Sequence, residues 1–128
     1  MKAISLWQPW ASYMADGQKL IETRHWPISY RGPLLIHAAK RMDECSTSQR
    51  ATLPFGALLC IVDLINCKRT EDLRDSISEL EHSLGNYGDG RFGWITANVR
   101  CFQNPIPYRG AQGLFDVPDG LLPKEVVS

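Results

Sequence analysis

Residues 17–24 read Gly17-Gln18-Lys19-Leu20-Ile21-Glu22-Thr23-Arg24, so three ionisable side chains enter a stretch otherwise rich in strand formers. The segment runs on through His25-Trp26 and meets Pro27, which predicts a strand over residues 18–26. Strand alternation places Leu20, Glu22 and Arg24 on one face and Ile21, Thr23 and His25 on the other. Lys19, at the start of the strand, can swing towards Glu22 and Arg24. The cluster has two readings. One is a solvated strand face whose ion pair is worth about 0–1 kcal/mol. The other is a polar group at the mouth of a cleft, where cations meet phosphate or a base carbonyl and a carboxylate accepts from a base amino group.

Upstream, Pro9 precedes Trp10-Ala11-Ser12-Tyr13-Met14-Ala15-Asp16-Gly17, which predicts a short helix with Pro in its first turn and Gly just past its end. Trp10, Tyr13 and Met14 recur at helical spacing and are expected to pack on the body of the protein. Downstream, Arg31-Gly32-Pro33 reads as a turn and Leu34-Leu35-Ile36-His37-Ala38 as a buried strand. Residues 40–50 read as a polar helix ended before Pro54, and residues 57–68 as the longest strand. Thr70 is the expected N-cap of a helix opening on Glu71, Asp72 and Leu73. Residues 80–90 end in a loop with three glycines in six residues, 91–102 form another strand, 104–110 a loop, and 114–117 a closing strand. Four or five strands with a few short helices, and no repeated strand-helix-strand rhythm, argue against a doubly wound fold. The expected class is α+β, mainly β: a small closed or nearly closed β-barrel with short flanking helices.

The chain has 128 residues, the size of a single domain spanning 1–128. Fourteen basic and fourteen acidic side chains cancel, which disfavours coating of duplex DNA by bulk positive charge. The charge is sorted along the chain: +3 over residues 1–50, −4 over 51–90 and +1 over 91–128. Cys45, Cys60, Cys67 and Cys101 show no CxxC and no Cys/His pair at zinc spacing, so neither a metal nor a cofactor is expected. Cys60, within Ala57-Leu58-Leu59-Cys60-Ile61-Val62, reads as a small buried hydrophobe. That run is far short of the roughly 20 residues that span a bilayer. Met1-Lys2-Ala3-Ile4-Ser5-Leu6 is too short an apolar stretch for a signal peptide, so a cytoplasmic setting with reduced thiols is expected.

Trp7, Trp10, Trp26 and Trp94 are four indoles on which a nucleobase could stack, a contact worth about 1–3 kcal/mol. Trp10 and Trp94 read as core, while Trp7 is open to either a core or a cleft position. His37, on an apolar strand, reads as a hydrogen-bonded core histidine. His25 and His82 have no partner that the sequence identifies.

The residues Ser5-Leu6-Trp7-Gln8-Pro9-Trp10-Ala11, followed by the spacing G-x-K-x-x-E-x-R at Gly17, Lys19, Glu22 and Arg24, closely resemble the activating signal cointegrator homology (ASCH) domains. Gly90-Arg91-Phe92-Gly93-Trp94 and Pro105-Ile106-Pro107-Tyr108-Arg109-Gly110-Ala111-Gln112-Gly113-Leu114-Phe115 look like later segments of the same family. The resemblance runs from Ile4 to about Val117 and is weakest over residues 41–90. It implies a fold related to the PUA domains, a β-barrel with a cleft beside the first helix, and RNA-related binding. Carried over to this chain, the ligand-binding positions are Lys19, Glu22 and Arg24, with Trp7, Gln8, Pro9 and Trp10 at the helix start. Arg109 and Gln112 are added as rim or cleft groups, and a plain loop cation is an equal reading of Arg109.

The implied partner is single-stranded RNA or a modified nucleoside or nucleotide, with no membrane and no metal, and a protein partner left unassigned. A second function follows from proteins similar to ASCH domains that hydrolyse acylated cytosine nucleosides with a Lys, a Thr and a carboxylate. Here Lys19 is kept, but Glu22 stands where the Thr would be, and Thr23 is expected on the opposite strand face. Lys19 and Glu22 could instead serve as catalytic groups in acid-base hydrolysis, including RNA cleavage. A third reading, a protein-interaction module, has no sequence feature of its own here.

Overall fold

The computed structural model describes residues 1–124, so the last four positions of the expected 1–128 unit lie outside the described residues. Six strands form one sheet: β1 (Lys2–Leu6), β2 (Ile21–Arg24), β3 (Gly32–Ala38), β4 (Ala57–Arg69), β5 (Phe92–Pro107) and β6 (Phe115–Asp116). Their order is β2-β5-β4-β3-β1-β6, with β1 and β3 parallel and every other pair antiparallel. Between them lie α1 (Trp10–Ala15), α2 (Thr47–Thr52), α3 (Thr70–Leu73) and α4 (Glu79–Ser83). The α+β, mainly β class is as expected, with one correction. The sheet does not close, because β2 pairs only with β5 and β6 only with β1. Its two edges are strands of four and two residues, short enough to blunt the exposed ladder without closure.

The sheet is organised by the long antiparallel β4–β5 pair, whose strands are joined through α3 and α4. A straight 16-residue strand would reach about 50 Å, far more than so small a core can cover. Register shifts between Leu58 and Cys60, Ile61 and Asp63, and Leu64 and Asn66 bend the pair so that it serves two cores. On one face Ile4, Leu6, Leu34, Ile36, Val62, Leu64 and Trp94 pack under α1, which contributes Ala11 and Met14. On the other, Ala3, Leu35, Leu58, Ile61, Phe102 and Val117 form a second cluster. Cys60 is fully buried in the first core, as its apolar run predicts.

Several expected elements shift. The strand after Gly17 is confined to Ile21–Arg24, because Lys19 and Leu20 instead bond to α1 and to the α4 carboxylate Glu81. The polar helix over 40–50 becomes α2, since Ser46 and Gln49 form a reciprocal capping box that starts the helix there. Thr70 is the first helical residue of α3 and not its cap: its buried hydroxyl donates to Gly88 O at 2.7 Å. Residues 104–107 are not loop but the end of β5, where Leu58 pairs with Ile106 and Ala57 with Pro107. The helix also turns differently on the core. Ala11 and Met14 are buried, whereas Trp10, expected in the core, is only half-buried. That rotation turns the Trp10 indole towards the site.

Candidate functional site

A cleft of about 660 Å³ opens between the start of α1, strand β2 and the loop after α4. It is lined by Ser5–Trp7 and Trp10 on one side, by Lys19 and Glu22–His25 on the floor, and by Ser83–Asn86 with Arg91 on the other side. Strand alternation holds on the floor, where Ile21 and Thr23 are buried and Glu22 and Arg24 are partly exposed.

Glu22 is the centre of the floor. One oxygen lies 3.6 Å from Lys19 Nζ and the other accepts from Arg24 Nε at 2.8 Å. Arg24 Nη2 donates to Ser5 O at 2.9 Å, tying β2 across the cleft to β1. Among the described residues its Nη1 has no hydrogen-bond partner. Lys19 is 1% exposed and donates to Ile21 O at 2.6 Å and Leu84 O at 2.9 Å. Burial lowers its pKa, and the Glu22 and Glu81 carboxylates partly oppose that shift. The ammonium therefore binds the floor to the far side rather than projecting into the cleft.

The far side is held by residues the sequence reading did not single out. The buried Glu81 carboxylate accepts from Leu20 N at 2.8 Å and Ile21 N at 3.3 Å. Asn86 N donates to Thr23 Oγ1 at 3.0 Å, and Arg91 donates to Asn86 O and Thr23 O at 3.1 and 3.3 Å. These partners lie some 60 residues from β2 in the chain, and the only local signal was the glycine-rich loop. Part of the acidic middle segment thus forms one wall of the cleft.

The remaining expected positions divide. Trp7 lines the cleft and is 46% exposed, but the Arg41 guanidinium carbon sits 3.7 Å from its ring centroid. Gln8 is fully buried: its Oε1 accepts from Ser12 N and its Nε2 donates to Ser12 Oγ and Pro54 O. It caps α1, whose N-cap position is the buried Pro9 with no side-chain acceptor, so neither Gln8 nor Pro9 reaches the cleft. Arg109 and Gln112 are exposed in the loop after β5 and do not line it. That loop instead covers His37, since a Cβ on Gly110 would come within 2.7 Å of His37 Cε1.

His37 is 1% exposed and bonded at both nitrogens, Nε2 to Tyr108 O at 2.7 Å and Nδ1 to Ser5 Oγ at 2.9 Å. A carbonyl only accepts, so Nε2 carries the proton and Nδ1 takes the Ser5 hydroxyl. Burial lowers the His37 pKa below the ordinary 6.5. Below pH 6.5 the unfolded chain gains a proton that the folded chain refuses, so this stability is complete above 6.5 and lost as pH falls. Urea unfolding between pH 7 and 5 should show His37→Gln losing less stability than the parent, by at most about 1.4 kcal/mol per pH unit. Equal pH slopes would contradict this assignment.

The family model for the ASCH domain matches residues 4–106, which includes most of β1, all of α1 and every residue lining the cleft. The chain belongs to the ASCH domain family. ASCH domains are linked as a family to RNA binding and share a PUA-like fold. Activating signal cointegrator 1 from Homo sapiens is 29% identical over 123 residues, and its Mus musculus counterpart matches equally. The alignment takes in 84% of this chain but 20% of either relative, so the chain spans about a fifth of the length of these curated proteins. The crystal structure of an ASCH protein from Zymomonas mobilis superimposes with a TM-score of 0.63 at 16% identity, covering 94% of this chain and 89% of that one. A mutant of the same protein gives 0.62 at 16% identity, covering 94% and 91%. Among the described residues no His/Cys/Asp/Glu group could hold a metal ion, and no helix is long and apolar enough to cross a membrane.

Proposed function

We propose that this ASCH domain binds a nucleotide unit in its cleft, presented by single-stranded RNA or by a modified nucleoside or nucleotide. The observation that carries the reading is the charge of the lining: the guanidiniums of Arg24 and Arg91 against the carboxylate of Glu22, which the buried Lys19 also partners from beneath, in a chain with no net charge. Such a cleft favours an anion, and the half-open indoles of Trp7 and Trp10 suit a base. Arg24 supplies the cation that meets phosphate, Glu22 orients it, and Lys19 acts from beneath.

Titration of a labelled single-stranded oligouridylate should show Arg24→Gln binding about tenfold or more weakly than the parent, as befits a lost charge-assisted hydrogen bond. With two or three phosphates neutralised, at about −0.7 each, the slope of log K against log salt should be about −2 or shallower. Equal affinities for parent and Arg24→Gln would sink the cleft as the binding site.

One observation favours hydrolysis as a second reading: a buried Lys19 of lowered pKa stands 3.6 Å from the Glu22 carboxylate. On that reading an acylated cytidine should be turned over by the parent and not by Glu22→Gln. A panel of modified nucleosides followed by chromatography separates the two, since binding without product leaves the first.

A further inference from the structure

The two sides of the cleft are not held alike. Leu84 is tied to the buried Lys19, and Asn86 to Thr23 and Arg91. On the other side, Trp7 carries the Arg41 guanidinium on one ring face; Arg41, from the irregular segment between β3 and α2, is not itself among the residues that line the cleft, so this contact sits at its rim. The Arg41 side chain is 42% exposed and has one further partner among the described residues, Asp43 Oδ2 at 3.1 Å from its Nε. A guanidinium on an indole face occupies the place that a stacked base would take.

We propose that Arg41 is a placeholder on Trp7, exchanged for the nucleobase when a nucleotide enters, with the released guanidinium then pairing with that nucleotide's phosphate. The inference rests on the nucleotide-binding reading and refines it: the ligand is a base carrying a phosphate, not a bare nucleoside. The physical grounds are three. A cation at an exposed ring is held more weakly than a stacked base, so the base wins the exchange. The displaced side chain stays anchored beside the platform by its own backbone. Its ion-pair partner among the described residues, Asp43, is 70% exposed, so solvent screening makes that pair easy to break.

The test compares cytidine with cytidine 5′-monophosphate on the parent, Arg41→Ala, Trp7→Ala and the double variant. Arg41→Ala should bind cytidine about two- to fivefold more tightly, because a competing cation–π contact is gone. The preference for the monophosphate over cytidine should shrink in the same variant. On the Trp7→Ala background, the Arg41 substitution should leave cytidine affinity unchanged. Acrylamide quenching of tryptophan emission should rise in Arg41→Ala without any ligand. If the parent binds cytidine and Arg41→Ala binds it equally or more weakly, the placeholder is overturned while the cleft reading stands. If the parent binds neither cytidine, its monophosphate nor RNA, the nucleotide reading itself fails, whatever the quenching shows.

Discussion

Lys19→Met is expected to lower the unfolding free energy by about 3–5 kcal/mol, the loss typical of removing one partner from a buried charged network. Met matches the length of the side chain, so the cost is not chiefly a cavity. It comes from the acceptors left behind: Ile21 O and Leu84 O lose their donor, and Glu22 keeps only Arg24. Because Leu84 O belongs to the far side, the same substitution should loosen the loop after α4, seen as faster amide exchange over residues 83–86. Urea titration of parent and variant reads the energy, and a loss under about 1 kcal/mol would show that Lys19 is not the strut described here. The size of this effect also explains why Lys19 is a poor probe of binding: weaker RNA affinity in its variants would report a damaged cleft.

Trp7→Ala should weaken binding of single-stranded RNA by about 5- to 150-fold, the equivalent of about 1–3 kcal/mol of base stacking. Stability should change little. Trp7 is 46% exposed and lies outside both sheet cores, so its truncation opens no internal void. Fluorescence anisotropy with a short labelled RNA measures the first quantity and urea unfolding the second. Unchanged affinity in a stable Trp7→Ala protein would move the base to Trp10 or out of the cleft. The contrast with Lys19 is physical. One residue acts on the ligand directly, and the other holds together the surface that meets it.

The polar floor was legible because its logic is local. Glu22 and Arg24 are two apart on a strand and must share a face, and Lys19 lies within reach of both. The family resemblance also carried Gln8 to the site, yet Gln8, between two cleft tryptophans in the chain, turns inward to cap α1 where Pro9 offers no acceptor. Arg109 and Gln112 were assigned from a motif, but the motif's Gly110 answers to the close approach of His37. Glu81, Asn86 and Arg91 were not found at all. Their part in the cleft depends on α4 and its following loop reaching β2, and nothing in residues 79–91 alone encodes where that loop lands.

By itself, then, the sequence determined the mainly β class, the short helix ending at Gly17, the alternation along β2 and the family to which these residues belong. The helix end and the strand alternation depend on steric rules acting over two to five residues, and they survive any packing. Tertiary structure decided that the sheet stays open, that Lys19 is a buried strut, and that Arg41 rests on Trp7. Each of these turns on contacts between distant segments. Burial of a charge or cover of a ring is set by whichever neighbour supplies the missing partner, and that neighbour is chosen only when the chain packs.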